Sequence, residues 1–172
     1  MTSQPRAHGP GTQSGDPVRD SALALVPEIL EAYIPLSRAV WLEGPLGPAL
    51  LEMVRLRNAQ RVNCVFCRNA RYDIARDDGL TEEKIGWMAS EEGREQLSEQ
   101  ERLAVAFADA YLEGPDNLSS DLQAELAAAF SPAEIAHLSL ALLLFNTFSR
   151  CAVTIGGMPD SLPVMEVSLP PA

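Results

Sequence analysis

Three times in the second half of this chain a serine stands three residues ahead of a glutamate or glutamine, with an apolar run behind it: Ser98 and Glu101, Ser120 and Gln123, Ser131 and Glu134. At that spacing the serine hydroxyl and the longer side chain each satisfy a free backbone amide of a helix start, so each pair predicts a helix N-terminus. Apolar residues then recur at three- and four-residue intervals: Leu103, Ala106, Phe107, Ala110 and Tyr111 after the first, Leu122, Leu126, Ala129 and Phe130 after the second. The third start has proline at its first helical position, where no amide is lost. Its helix is expected to reach about Val153. Leu138, Leu142, Phe145 and their neighbours make it apolar round most of its circumference, which predicts burial on more than one side, as a central helix or an oligomer interface.

The first half reads in the same way. Ser21 to Glu31 predicts a short helix, and Pro35, Pro45, Gly47 and Pro48 then predict a turn-rich connection. A helix follows from Leu50 to about Gln60. Asn63 is expected to cap another, which carries Cys64, Cys67, Ala70, Arg71 and Ile74 and stops at Asp78-Gly79. Thr81 is expected to cap a further helix, with Glu82 and Glu83 at its positive end. No alternating strand pattern and no repeat is present. The expected fold is all-α, with about six helices in one oligomeric domain over residues 21–157. It is flanked by a disordered arm at 1–20 and an irregular tail at 158–172 that could wrap a neighbouring subunit.

A net charge of −11, with Lys84 the only lysine among thirteen basic residues, leaves no basic surface for nucleic acid or an anionic membrane. No unbroken apolar run reaches the roughly 18–20 residues that span a bilayer, and the Gly-, Pro- and Ser-rich start lacks the pattern of an export signal. The expectation is therefore a cytoplasmic protein. There, three cysteines do not build a disulfide framework and have to be catalytic, metal-binding or inert.

Two of the three form Cys64-Val65-Phe66-Cys67. Residues three apart on a helix share a face, and free amides at a helix start stabilise a thiolate, so such a pair can cycle between dithiol and disulfide. Two other readings stand beside this one. The pair could simply be buried as small hydrophobes, or it could be half of a zinc site completed by Cys151 and His137.

The segment Leu51-Glu52-Met53-Val54-Arg55-Leu56-Arg57-Asn58-Ala59-Gln60, followed by Asn63-Cys64-Val65-Phe66-Cys67, resembles the carboxymuconolactone decarboxylase and alkylhydroperoxidase D (AhpD-like) family. The likeness rests on a glutamate twelve residues before the first cysteine, the charged helix that carries it and the N-C-x-x-C junction. With Asn146 and Ser149-Arg150 on the closing helix, it extends from about Leu50 to Ile155. The resemblance implies an all-helical subunit that assembles as a dimer, trimer or hexamer. It also implies a thiol-dependent peroxidase that reduces organic hydroperoxides without a bound cofactor or metal, and a separate thiol or protein reductant. Carried over by position, Cys67 is the attacking thiol, Cys64 the resolving thiol and Glu52 the proton-relay carboxylate. Helix-start electrostatics would instead favour Cys64 as the attacker.

The sequence departs from the family pattern where Phe66 and Arg71 stand in place of histidines. Arginine keeps its charge and cannot shuttle a proton. One turn beyond Cys67 on a continuous helix, Arg71 would either lower a thiol pKa or lie solvated on an exposed face. His137 is either a substitute base or a hydrogen-bonded core residue, Cys151 an inert core thiol, and His8 part of the loose arm. Phe66 and Tyr72 could wall the thiols. The alternatives to a peroxidase are an acid–base decarboxylase and a redox-sensing helical oligomer that is not an enzyme.

Overall fold

The structure is a computed structural model that describes residues 4–11, 14 and 18–169. Its most enclosed element is α2, Pro48–Val62. Leu51, Glu52, Met53, Val54, Asn58 and Ala59 on it have no exposed surface, so apolar residues occupy both of its faces. One flank is covered by α9 (Pro132–Ile155) and another by α7 (Glu99–Glu113). Against α9, Leu51 and Val54 join Leu138, Ala141, Leu142 and Phe145 in the main core. The contact is keyed by a polar ladder in which the Asn58 amide donates to the Phe145 carbonyl (3.1 Å) and to Ser149 (3.0 Å), while Asn146 donates back to Asn58 (2.9 Å). Against α7, Arg57 forks onto both oxygens of Asp109 at 2.7 and 2.9 Å.

The local start signals hold wherever the chain has only to begin a helix. Both oxygens of the capping box are engaged at Ser98 and again at Ser131, and Thr81 caps α5 (Glu82–Trp87). At α8, Ser120–Ala129, the cap is Ser119 rather than Ser120, a shift of one residue. α6 is the single turn Glu91–Arg94, capped by Ser90.

Elsewhere tertiary contacts override the local reading. Pro35 does not interrupt the chain. It lies inside α1 (Pro27–Leu42), where burial of Leu30, Ile34, Ser37, Val40 and Trp41 along one face offsets the missing amide. Asn63 ends α2 in a left-handed conformation (φ 57°), so the cap of the next helix is Cys64. The expected continuous helix to Asp78 is also broken. It becomes α3 (Val65–Asn69), a strand β1 (Ala70–Tyr72) and α4 (Asp73–Asp77). β1 pairs in parallel with β2 (Met165–Val167) from the tail, with Arg71 opposite Glu166. Nothing near residue 70 announces a partner some 95 residues away, which is why the sequence reading found no strand. The fold is nevertheless predominantly helical, as expected, with nine α-helices among the described residues.

By length and composition α9 is long and apolar enough to cross a membrane. Counting unbroken apolar runs misses it, because uncharged polar residues such as Ser139, Asn146 and Thr147 interrupt the run without adding charge. In this fold it packs on α2 along one side and leaves Leu140 (57%) and Leu143 (51%) exposed on the other. The most enclosed helix is therefore α2.

The reading of residues 1–20 as a loose arm falls partly outside the described residues. Within them, the Arg6 amide donates to the Ile155 carbonyl (2.6 Å) and its guanidinium to the Thr154 carbonyl (2.8 Å), which lays residues 4–11 across the end of α9.

Candidate active site

Cys64 and Cys67 are joined by a disulfide, with Cα atoms 5.2 Å apart. The left-handed turn at Asn63 sets Cys64 at the cap of α3, where its sulfur accepts the Cys67 amide at 3.2 Å. Cys64 is fully buried, and both cysteines pack against Phe66, Ala152, Val153 and Met158. Cys67 forms part of a cavity wall. That cavity, about 80 Å³, lies between α1, α9 and the start of β1, and its wall also includes Tyr33, Ser37, Arg55, Phe66, Tyr72 and Ser149. Trp41 backs it, its ring 4.6 Å from that of Tyr72 and 5.4 Å from that of Phe145.

Beneath the pair sits a buried ion pair. Arg55 donates to both Glu52 oxygens, from Nε at 2.5 Å and from Nη2 at 2.7 Å, and Glu52 also accepts the Tyr72 amide at 3.3 Å. The guanidinium then reaches the carbonyls of Cys67 (2.7 Å) and Ala70 (2.8 Å) and lies 5.3 Å from the centre of the Tyr72 ring. Burial pulls its pKa down, but the charge and hydrogen bonds of Glu52 outweigh that and hold it above the ordinary value. Arg55 thus ties α2 to both ends of the active-site turn. The sequence reading placed it among the polar residues between apolar positions. Its i,i+3 spacing from Glu52 was the available signal, since a buried cation needs a partner within reach.

The remaining candidates go elsewhere. Arg71 is neither solvated nor one turn along a helix from Cys67. It lies in β1, buried, and grips Glu82 at 2.9 and 3.1 Å while donating to the Arg68 and Ala70 carbonyls. His137 accepts the Leu46 amide at Nδ1 (3.3 Å), so its Nε2 carries the proton and donates to the Val40 carbonyl (2.8 Å). It braces the α1–α2 connection, and Gly44 passes so close that a Cβ there would lie 2.1 Å from the ring. His137 and Cys151 are separated by about 21 Å of helix and cannot share an ion. No group of three metal-ligating side chains occurs among the described residues. Cys151 is exposed, not a core thiol.

Tyr33 was not singled out by the sequence. Its ring stacks on Phe148 at 5.0 Å and its hydroxyl bonds Ser37. Burial, reinforced by Tyr72, pushes its pKa well above the ordinary tyrosine value, so it stays protonated through the neutral range.

Fold and site together define a helical-bundle protein with a buried C-x-x-C disulfide beside a small pocket. Residues 27–110 match the model of the carboxymuconolactone decarboxylase family. A crystal structure from Agrobacterium tumefaciens, of a protein of unknown function suggested to be the antioxidant defence protein AhpD, superposes with a TM-score of 0.67 at 28% identity. The match covers 83% of this chain and 95% of that one. An uncharacterized protein of Mycobacterium tuberculosis, found in two strains, is 31% identical over 111 residues, which is 64% of this chain. The chain spans 39% of the length of those curated relatives.

Proposed function

We propose that the protein is a thiol peroxidase in which Cys67 attacks the hydroperoxide and Cys64 resolves the product. The observation that carries this reading is the asymmetry of the pair: Cys67 is on the wall of the small pocket, and Cys64 is sealed behind it. The Cys67 thiolate attacks the terminal peroxide oxygen, the O–O bond breaks, and the organic fragment leaves as an alkoxide that takes a proton to become an alcohol. Tyr33, protonated and on the same wall, donates to the leaving oxygen. Cys67 is then a sulfenic acid. The Cys64 thiol gives up its proton as its sulfur attacks the Cys67 sulfur, the S–O bond breaks, and the departing hydroxide takes up that proton and leaves as water as the disulfide forms. A dithiol reductant returns two electrons and two protons.

Glu52 is not part of the pocket wall. Its part is to hold Arg55, and through Arg55 the Cys67 carbonyl, so it is a positioning residue in this scheme. An acid–base decarboxylase is less well supported, because both oxygens of Glu52 and both nitrogens of His137 are committed to internal hydrogen bonds. A second copy of the chain is the proposed cover for the exposed face of α9.

Stopped-flow oxidation of the reduced protein by cumene hydroperoxide, with Cys64→Ser and Cys67→Ser variants, tests the reading. Rapid loss of two thiols, with a sulfenic acid trapped only in Cys64→Ser, is expected. Oxidation no faster than that of free cysteine would end it.

A further inference from the structure

A second cavity, larger than the pocket used above, lies outside it. It encloses about 560 Å³, the size of a small-molecule site. Its walls come mainly from segments outside the family match at 27–110: residues 4–9, the turn Ala22–Leu25 and the stretch after α9. Leu23, Phe66, Phe148, Ile155, Met158 and Leu162 give it an apolar lining, with His8 and Gln4 as polar groups. His8, set aside on sequence grounds with the loose arm, thus lines a cavity.

Two rings connect this chamber to the disulfide. Phe66, between the cysteines, and Phe148, stacked on Tyr33, belong both to its wall and to that of the Cys67 pocket. The inner pocket admits only a few water-sized groups. Among the described residues, nothing in the lining of the outer chamber offers a fixed charge to an ionic ligand.

We infer that the outer chamber binds the hydrocarbon tail of a neutral alkyl hydroperoxide and delivers its peroxide end past Phe66 and Phe148 to Cys67. The inference deepens the peroxidase reading, on which its chemistry rests, while the binding of the tail can be measured without any redox step. Because the terminal segments build the chamber, they set the preference for tail length.

The test has two arms. In the first, n-alkanols from butanol to dodecanol displace the neutral fluorophore 1-aminoanthracene from the oxidised protein. Affinity is expected to rise roughly fourfold per added methylene, the scale of burying a CH₂ group, until the chamber is full, and to level beyond. In the second, the reduced protein meets hydrogen peroxide and n-alkyl hydroperoxides of the same lengths, and the rate constants are expected to climb in parallel. Leu23→Asp and Leu162→Asp, checked for folding by circular dichroism, should each flatten the dependence on length. An alkanol series without slope in the wild-type protein overturns the inference, as does a slope that survives in both variants. Failure of the peroxidase reading looks different: alkanols still bind by length, but no peroxide oxidises the pair faster than free cysteine.

Discussion

Arg55 carries the most exacting prediction. Replacing it with methionine keeps much of the stem and removes the guanidinium. Glu52 is then left fully buried with only the Tyr72 amide, the Cys67 carbonyl loses the guanidinium, and the Ala70 carbonyl is left with Arg71. Breaking a buried pair from one side costs about 3–5 kcal/mol, because the remaining charge is uncompensated. Small domains are held by only about 5–15 kcal/mol in total, so the loss is large but need not unfold the chain. Urea unfolding at neutral pH should show it as a lower midpoint with an unchanged slope. The decisive comparison is the double replacement Glu52→Leu with Arg55→Met, which removes both charges. It should be markedly less damaging than the two single losses added together. In the peroxidase assay, Arg55→Met should also slow the reaction of Cys67, whose carbonyl is no longer held. A cost below about 1 kcal/mol for Arg55→Met, or additive effects in the cycle, would refute this account of how α2 supports the site.

Tyr33→Phe removes only a hydroxyl from the inner pocket. It should lower the peroxide rate constant by about a hundred- to ten-thousandfold, on the scale of one general acid, with the fold intact by circular dichroism. Leu140→Glu with Leu143→Glu places two charges on the exposed face of α9; if a second copy covers that face, light scattering should show a smaller species than for the wild type. Glu101 closes the Ser98 capping box and pairs with Lys84 at 2.7 Å. Burial raises its pKa, but the Lys84 and Ser98 hydrogen bonds more than offset this and hold it below the ordinary 4.5. Its contribution is therefore present above that value and fades as pH falls through the lowered one. Glu101→Gln should cost about 0.5–1 kcal/mol at pH 7 by thermal unfolding, with the gap to wild type closing toward pH 3.

What could be read in advance divides by the range of the interaction. The capping serines, the proline at the start of α9 and the helical spacing of apolar residues act within one or two turns, and the structure keeps them nearly residue for residue. The glutamate and cysteine spacing on α2 and α3 likewise sufficed to indicate the family likeness and the cysteine pair, which the structure joins as a disulfide. The sequence reading failed where a distant segment decides. It expected a helix through residue 72, where the tail pairs with Ala70–Tyr72 as a strand. It expected a break at Pro35, where a buried face carries α1 through.

The sequence by itself determined that this chain is helical and where its cysteine pair lies, because caps, turns and periodicity are local codes. Only the tertiary structure decided that Cys67 faces a pocket, that Arg55 reaches the Cys67 carbonyl while Arg71 pairs with Glu82, that His137 braces a loop, and that the terminal segments build a chamber beside the disulfide. Burial and partnership of this kind depend on which segments meet in space, and side-chain spacing along one element carries no record of that.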